Sequence, residues 1–153
     1  MPARYTRDHP DYVLASGFMH WLPGYEPYKQ MRQFFAGGYK IHLSATLSEA
    51  QRVADAVLPL LRDMQIYHKV RPDRASYEAM NAGRQQGKFI TVYVGPLQEK
   101  FLSVAKELDA LLTAHQFTPG PTPSARLGGH AQEEQRAGLS RMIFYTTSPD
   151  FEL

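Results

Sequence analysis

The stretch 37-GGYKIHLSAT-46 predicts a β-strand with one apolar side and one polar side. Side chains on a strand alternate between its two sides. The apolar side, expected to face a core, would carry Tyr39, Ile41, Leu43 and Ala45. The polar side would carry Lys40, His42 and Ser44. Lys40 and His42 would then lie roughly 7 Å apart, a spacing that suits an anion site or a proton-transfer pair. A solvent-facing strand edge is the alternative. The predicted partner strand is residues 87–93.

Length and composition restrict the class of protein. A chain of 153 residues can form one domain with a substantial core. No run of about 18 apolar residues exists, which excludes a membrane span, and residues 1–10 lack the apolar stretch of a secretory signal. The chain has no cysteine, which removes disulfides, thiol catalysis and thiolate metal sites. We therefore expect a cytoplasmic protein, or a secreted effector without a cleaved signal.

The distribution of charge favours an anionic ligand over nucleic acid. The net charge is only +2, which lacks the strong basic bias of a general nucleic-acid binder. Between residues 65 and 92, five basic residues stand against two acids. If this segment lies together in space, it attracts an anion.

The remaining pattern predicts alternating strands and helices. Thr46 and Glu49 have the spacing of a capping box, and an apolar helical stripe follows as far as Met64, with Pro59 expected to kink or split the helix. The later predicted elements are a strand at 65–70, a helix at 72–82, a strand at 88–94, a helix at 101–112, a proline-rich loop at 118–123 and a strand at 142–145. In the strand at 65–70, His68 is expected on the core side and Lys69 on the polar side.

The alternation of these elements indicates an α/β or an α+β fold, and α+β is the prediction. We expect a twisted mixed β-sheet packed by amphipathic helices, with catalytic residues on the polar face of the sheet. Residues 37–153 would form this domain. Residues 1–36, rich in aromatics and turn formers, would form a short helix or two packing on it.

Several common catalytic motifs are missing. The glycines at 83 and 87 do not have Walker spacing, and Phe89 follows Lys88 where a P-loop requires Ser or Thr. The six histidines form no close helical pair, no serine elbow occurs, and no pair of carboxylates lies in a plausible strand context. What remains is a set of cations and one phenol that suits a phosphorylated substrate: Lys40, His42, Lys69, Arg84, Lys88, Arg126 and Tyr93.

The order of these residues resembles a known family. Lys40-x-His42, Lys69-Val70, Arg84, residues 87–93 and residues 126–129 are similar to the N-terminal lyase domain of class III lanthionine synthetases. The order Lys-x-His, Lys-Val, Arg, Thr-x-Tyr also resembles the phosphothreonine lyase effectors that bacteria inject into host cells. Both families remove phosphate from phosphoserine or phosphothreonine by β-elimination, without a metal or other cofactor.

The resemblance implies a role for each site residue. Lys69 would abstract the α-proton, His42 would protonate the leaving phosphate, and Lys40 would hold phosphate or the enolate-like charge. Arg84 and Arg126 would clamp phosphate, and Tyr93 would support the site. Arg84 lies one residue closer to Gly87 than in the family pattern, so Lys88 is the alternative phosphate contact.

The resemblance also implies partners. The substrate would be a phosphorylated peptide or protein, either in lanthipeptide-type maturation with a separate kinase and cyclase, or on a signalling kinase attacked by an effector. No kinase or cyclase domain follows in the sequence, so a free-standing lyase is expected. Two other classes stay open at this point: a non-catalytic phosphopeptide-binding module, and an RNA-binding protein, which the low net charge disfavours.

Overall fold

The computed structural model describes residues 3–31, 38–82, 85–123 and 135–147. Its strands are β1 (Tyr12–Ala15), β2 (Phe18–Trp21), β3 (Tyr39–Leu43), β4 (His68–Val70), β5 (Ile90–Gly95), β6 (Gln135–Ala137) and β7 (Ile143–Thr147). Its helices are α1 (Leu22–Gln30), α2 (Ala50–Asp63), α3 (Arg74–Met80) and α4 (Gln98–His115). The predicted single α+β domain is confirmed.

The strands form one seven-stranded sheet in the order β1-β2-β4-β5-β3-β7-β6. Every strand pairing among the described residues is antiparallel, where the sequence predicted a mixed sheet. β3 is central, because it pairs with β5 on one side and β7 on the other. The alternative of a solvent-facing strand edge is therefore wrong for Tyr39–Leu43.

The hydrophobic core lies on one face of this sheet. Ile41, Leu43 and Val92 point from the central strands into it. Helices α2 and α4 cover the same face with the apolar stripes that the sequence predicted, including Val53, Val57 and Leu61 from α2 and Phe101, Val104 and Leu108 from α4. Burial of a large apolar side chain stabilises a fold by about 1.5–3 kcal/mol, so this face holds the sheet together. The opposite face of the sheet carries the polar side chains of the central strands.

The N-terminal segment agrees with its prediction in part. The sequence predicted a short helix or two, and α1 is one short helix, but residues 12–21 ahead of it form the β1–β2 hairpin, which was not predicted. Its two-residue turn has Ser16 at φ 53° and Gly17 at φ 81°, the positive pair that a tight hairpin turn of type I′ requires. Met19 pairs with Val70, which adds the hairpin to the main sheet. The domain boundary predicted after residue 36 lies outside the described residues.

Helix α2 also departs from its prediction. It begins at Ala50, one turn after Thr46, although Thr46 Oγ1 and Glu49 Oε1 are 3.4 Å apart. It runs through Pro59 without a break, so of the two predicted outcomes the split is wrong, and the kink stays a prediction. Packing of a buried apolar stripe outweighs local helix propensity here, since tertiary contacts supply most helix stability in proteins. None of the described helices combines the length and apolarity needed to cross a membrane.

Candidate active site

The strand register places three polar side chains in one row across the sheet. Thr91 of β5 is the Cα partner of Lys69 on β4 and of His42 on β3. Directly paired residues share a face, and alternation puts this row opposite the face that carries Ile41 and Val92. Strands lie about 4.8 Å apart, so the Lys69 and His42 backbones are roughly 10 Å apart with Thr91 between them. A small substrate group lying over Thr91 could contact both side chains.

A second row lies one pleat further along the same face. Lys40 pairs with Tyr93, and the Tyr93 N–H donates to the carbonyl of Tyr67 at 3.0 Å. The Tyr93 ring centre lies 5.4 Å from the Lys40 Nζ and 5.6 Å from the Lys69 Nζ. Both ammonium groups therefore lie within cation–π range of one ring.

The electrostatic environment of Lys69 suits a base. Burial is the largest cause of its lowered pKa, followed by the positive charges of Lys40, Arg71 and Lys88, and together they bring it to about 8. At pH 7 about a tenth of the Lys69 side chains would then be neutral, compared with about one in three thousand at an ordinary lysine pKa. A neutral amine is the form that accepts a proton.

The histidines fall on different sides of the sheet. His42 is buried on the face that carries Lys69. His68 is fully buried on the core side, bonded to Tyr12 Oη at 2.6 Å and to the Ile66 carbonyl at 2.8 Å, and burial lowers its pKa to about 4. The prediction that His68 is a structural histidine is confirmed.

An aromatic cluster borders the row at the β2 side. His20 is the Cα partner of Lys69 and bonds Tyr67 Oη through Nδ1 at 2.6 Å. The Tyr67 ring stacks on Tyr93 at 4.8 Å, and Tyr28 of α1 packs on both tyrosines. Burial comes first among the causes that lower the pKa of His20, so a neutral imidazole is favoured. This cluster limits water access to one side of Lys69.

Two arginines on this face were missed by the sequence reasoning. Arg71, two residues beyond Lys69, is buried. Arg136 of β6 pairs with Phe144, which pairs with His42, so Arg136 extends the row, with its guanidinium carbon 5.4 Å from the Phe144 ring centre. Continuing the strand alternation past Val70 would have put Arg71 on the same side as Lys69. Arg136 could not be found in this way, because no strand was predicted at its position.

The structure gives less information on the remaining predicted site residues, Lys88, Arg84 and Arg126. Lys88 lies in the segment before β5 and acts on the pKa of Lys69. Arg84 and Arg126 lie outside the described residues. Their predicted contacts with phosphate, like the roles of the other residues, stay predictions.

A separate cavity of about 510 Å³ lies between α1, the end of α2 and the start of α4. It is lined by Trp21, Arg62 and Tyr67 among others, and none of the predicted catalytic residues in the described chain belongs to its lining. We place the candidate site on the sheet face rather than in this cavity, because the chemistry-bearing groups converge there. Among the described residues, no group of three or more His, Asp or Glu side chains could hold a metal ion.

Comparisons with known proteins point to one family and one fold. Residues 8–122 match the family described as RamC, N-terminal domain. The structure resembles OspF from Shigella flexneri, a type III effector and phosphothreonine lyase, at 19% identity over 89% of this chain and 68% of that chain, with a TM-score of 0.58.

It also resembles SpvC, a phosphothreonine lyase and effector from Salmonella, at 17% identity over 96% of this chain and 76% of that chain, with a TM-score of 0.59. A further phosphothreonine lyase structure matches at 16% identity over 94% and 71% of the two chains, with a TM-score of 0.58. At these identities the likeness shows the fold alone. No curated protein has a significant match to the chain.

Proposed function

We propose that this chain, which belongs to the family of the RamC N-terminal domain, is a metal-independent lyase. It would remove phosphate from phosphoserine or phosphothreonine in a peptide or protein. The observation that carries this proposal is the row Lys69, Thr91, His42. It offers a candidate base and a candidate acid on one face, separated by one strand.

The reaction needs two proton transfers, one from the substrate α-carbon and one to the phosphate that leaves the β-carbon. A base removes the α-proton, the electron pair forms the Cα–Cβ double bond, and the Cβ–O bond breaks. The phosphate leaves and takes a proton from an acid. The products are a dehydroamino acid and inorganic phosphate, and water is not consumed.

Lys69 is the proposed base. Its lowered pKa supplies the neutral amine, and its place beside Thr91 allows it to approach a substrate α-carbon lying over the middle of the row. A peptide α-proton is weakly acidic, so the site must also stabilise the charge that develops on the substrate carbonyl. Lys40, one pleat away on the same face, is the proposed group for that role.

His42 is the proposed acid. It is buried on the far side of Thr91 from Lys69, which is where the Cβ–O bond would lie if the α-carbon is next to Lys69. A bound phosphate dianion favours the protonated imidazole that donates the proton. Lys88, Arg84 and Arg126 are proposed phosphate contacts, since cations and planar guanidinium groups bind phosphate oxygens well. Tyr93 is proposed to support the site through its ring contacts with both lysines.

Mass spectrometry of the products tests this proposal. Phosphoserine and phosphothreonine peptides would be incubated with the protein in the presence of a chelator, with Lys69→Ala as the inactive control. A lyase product is one phosphoric acid lighter than the phosphopeptide and one water lighter than a phosphatase product. A restored hydroxyl group, or unchanged peptides across varied sequences, would reject the lyase.

The same variant separates a lyase from a phosphopeptide-binding module. A lyase with Lys69→Ala should lose turnover and keep measurable affinity for the phosphopeptide, because the base is not a main phosphate contact. A binding module has no turnover to lose. Maturation of a ribosomally made peptide and attack on a host signalling kinase are the two settings proposed, and peptides drawn from each kind of substrate would discriminate between them.

A further inference from the structure

Arg71 is a buried cation that the proposed reaction does not use. It is 1% exposed, which puts it out of reach of a substrate lying on the sheet face. In the described part of the chain its guanidinium donates to Gln85 Oε1 at 2.9 Å, its Nε–H has no acceptor, and it forms no ion pair. Arginine is rarely buried without a partner, and an unpaired buried charge is costly, so this position calls for an explanation.

Arg71 and Lys69 contact the same aromatic ring. The Lys69 Nζ is 4.1 Å from the centre of the Phe18 ring, and the guanidinium carbon of Arg71 is 4.0 Å from it. The two charges are thus within roughly 8 Å of each other, in a region that Phe18 shields from water. At this distance and burial the repulsion between them is substantial.

Binding of a phosphorylated substrate would raise the pKa of Lys69, and Arg71 can oppose this rise. A phosphate dianion bound in the same row, towards His42, favours the charged form of the Lys69 amine and would protonate the base just when it is needed. Lys40 and Lys88 oppose protonation in the free protein, but phosphate offsets their charge if it binds to them. A cation that phosphate cannot reach keeps its influence in the complex.

Resting on the proposed lyase function, we propose that Arg71 is a positioning residue, a permanently charged group below the reach of substrate that keeps the Lys69 amine unprotonated while phosphate is bound. The surroundings of Lys69 agree with this assignment. The groups facing it are His20 on β2, Lys40 on β3, Arg71 directly after β4, Lys88 before β5, and Tyr93 on β5. Burial lowers the pKa of Arg71 to about 10, so it stays charged where Lys69 titrates.

The direct test is an NMR titration of lysine side chains labelled at the ε-carbon, with Lys69→Met used to assign the resonance. Lys69 should titrate near pH 8 in the unaltered protein. In Arg71→Gln the midpoint should rise by about one pH unit, equal to an approximately tenfold loss of neutral amine at neutral pH. Arg71→Lys keeps the charge and should stay near the original midpoint. Arg74→Gln is the matched control, since Arg74 is exposed and does not contact Phe18.

The titration would be repeated in saturating inorganic phosphate. With phosphate bound, the titration midpoint of Lys69 should be higher in Arg71→Gln than in the unaltered protein. The pH profile of kcat on a phosphopeptide should agree: its acid limb moves up by about one pH unit in Arg71→Gln, while the plateau at high pH is kept. A merely structural role would lower the plateau and leave the limb in place.

The outcomes separate this inference from the proposed function. Equal Lys69 midpoints in the unaltered protein and in Arg71→Gln would overturn the role of Arg71, whether or not the protein is a lyase. Absence of lyase activity with a shifted midpoint would reject the function and keep the electrostatic coupling. If Arg71→Gln does not fold, Arg71→Met removes the charge with an apolar side chain suited to a buried site, and the same comparison applies.

Discussion

Replacing Lys69 by methionine should make the protein more stable at neutral pH and inactive as a lyase. Burial and neighbouring cations lower the pKa of Lys69 from 10.5 to about 8, so the folded state disfavours its charged form. That difference corresponds to about 3 kcal/mol of lost stability at pH 7. Cation–π contacts with Phe18 and Tyr93 return about 0.5 kcal/mol each. The net expectation is a gain of about 2 kcal/mol in the free energy of unfolding for Lys69→Met.

The pH dependence fixes the sign of this effect. The unfolded chain binds a proton at Lys69 up to about pH 10.5, whereas the folded protein releases it near pH 8. The stability of the unaltered protein therefore rises relative to Lys69→Met across that window, and the difference should shrink to under about 1 kcal/mol by pH 10. All other titrating groups are common to both proteins and cancel to first order.

Urea denaturation at pH 7, 8, 9 and 10 measures the difference directly. Lys106→Met on the exposed side of α4 is the matched control and should change stability by less than about 0.5 kcal/mol, with no trend in pH. If Lys69→Met is less stable than the unaltered protein at pH 7, or if the gap is the same at pH 7 and pH 10, then Lys69 is not a desolvated amine and the argument for it as a base loses its physical support.

Three further predictions follow from individual contacts. His42→Asn should lower kcat by about 10²–10⁴-fold because the general acid is lost, and a phosphopeptide mass assay measures it; activity within about threefold of normal would contradict the role of His42. Gly38→Ala should destabilise the fold by about 1–3 kcal/mol in urea denaturation, because the new Cβ would clash with the backbone carbonyl of Gly95 and β3 must shift; unchanged stability would show that the two backbones do not approach closely. Tyr67→Phe should lower the free energy of unfolding by about 1–3 kcal/mol, since it leaves the buried His20 Nδ1 without its donor. Thermal unfolding at equal pH measures this change, and unchanged stability would rule out the bond.

Much of the candidate site could be predicted from sequence because strand alternation is a local property. The two-residue period of 37-GGYKIHLSAT-46 assigns Ile41 to the core and His42 to the other face before any partner strand is known. The same rule separates His68 from Lys69. What the period could not supply is the order of strands, which decides whether these side chains meet. That order depends on contacts far apart in sequence, so it emerged from the register around Thr91.

The missed elements had weaker or unused signals. The hairpin carries Ser16-Gly17 between two short runs of mixed apolar and aromatic residues, a usable turn signal that the abundance of aromatics concealed. The continuity of α2 through Pro59 could not be predicted, because it depends on how well the apolar stripe packs in three dimensions. Arg71 follows the predicted strand and is an arginine, a residue type that sequence reasoning assigns to the surface. Its burial depends on Phe18, which is more than fifty positions earlier in the chain.

The two faces of the central strands separate stability from chemistry. On β5, Val92 faces α2 and α4 in the core while Thr91 lies on the floor of the candidate site, one residue away. Lys69 and Arg71 are both buried at an electrostatic cost, and the apolar face of the same strands provides the packing that offsets it. A lowered lysine pKa needs a rigid, dry setting, since relaxation or water entry would return the charge to the amine. Among the described residues the hydrophobic core lies on one face of this antiparallel sheet, and the sheet holds the row of polar side chains fixed on the opposite face, which meets both needs.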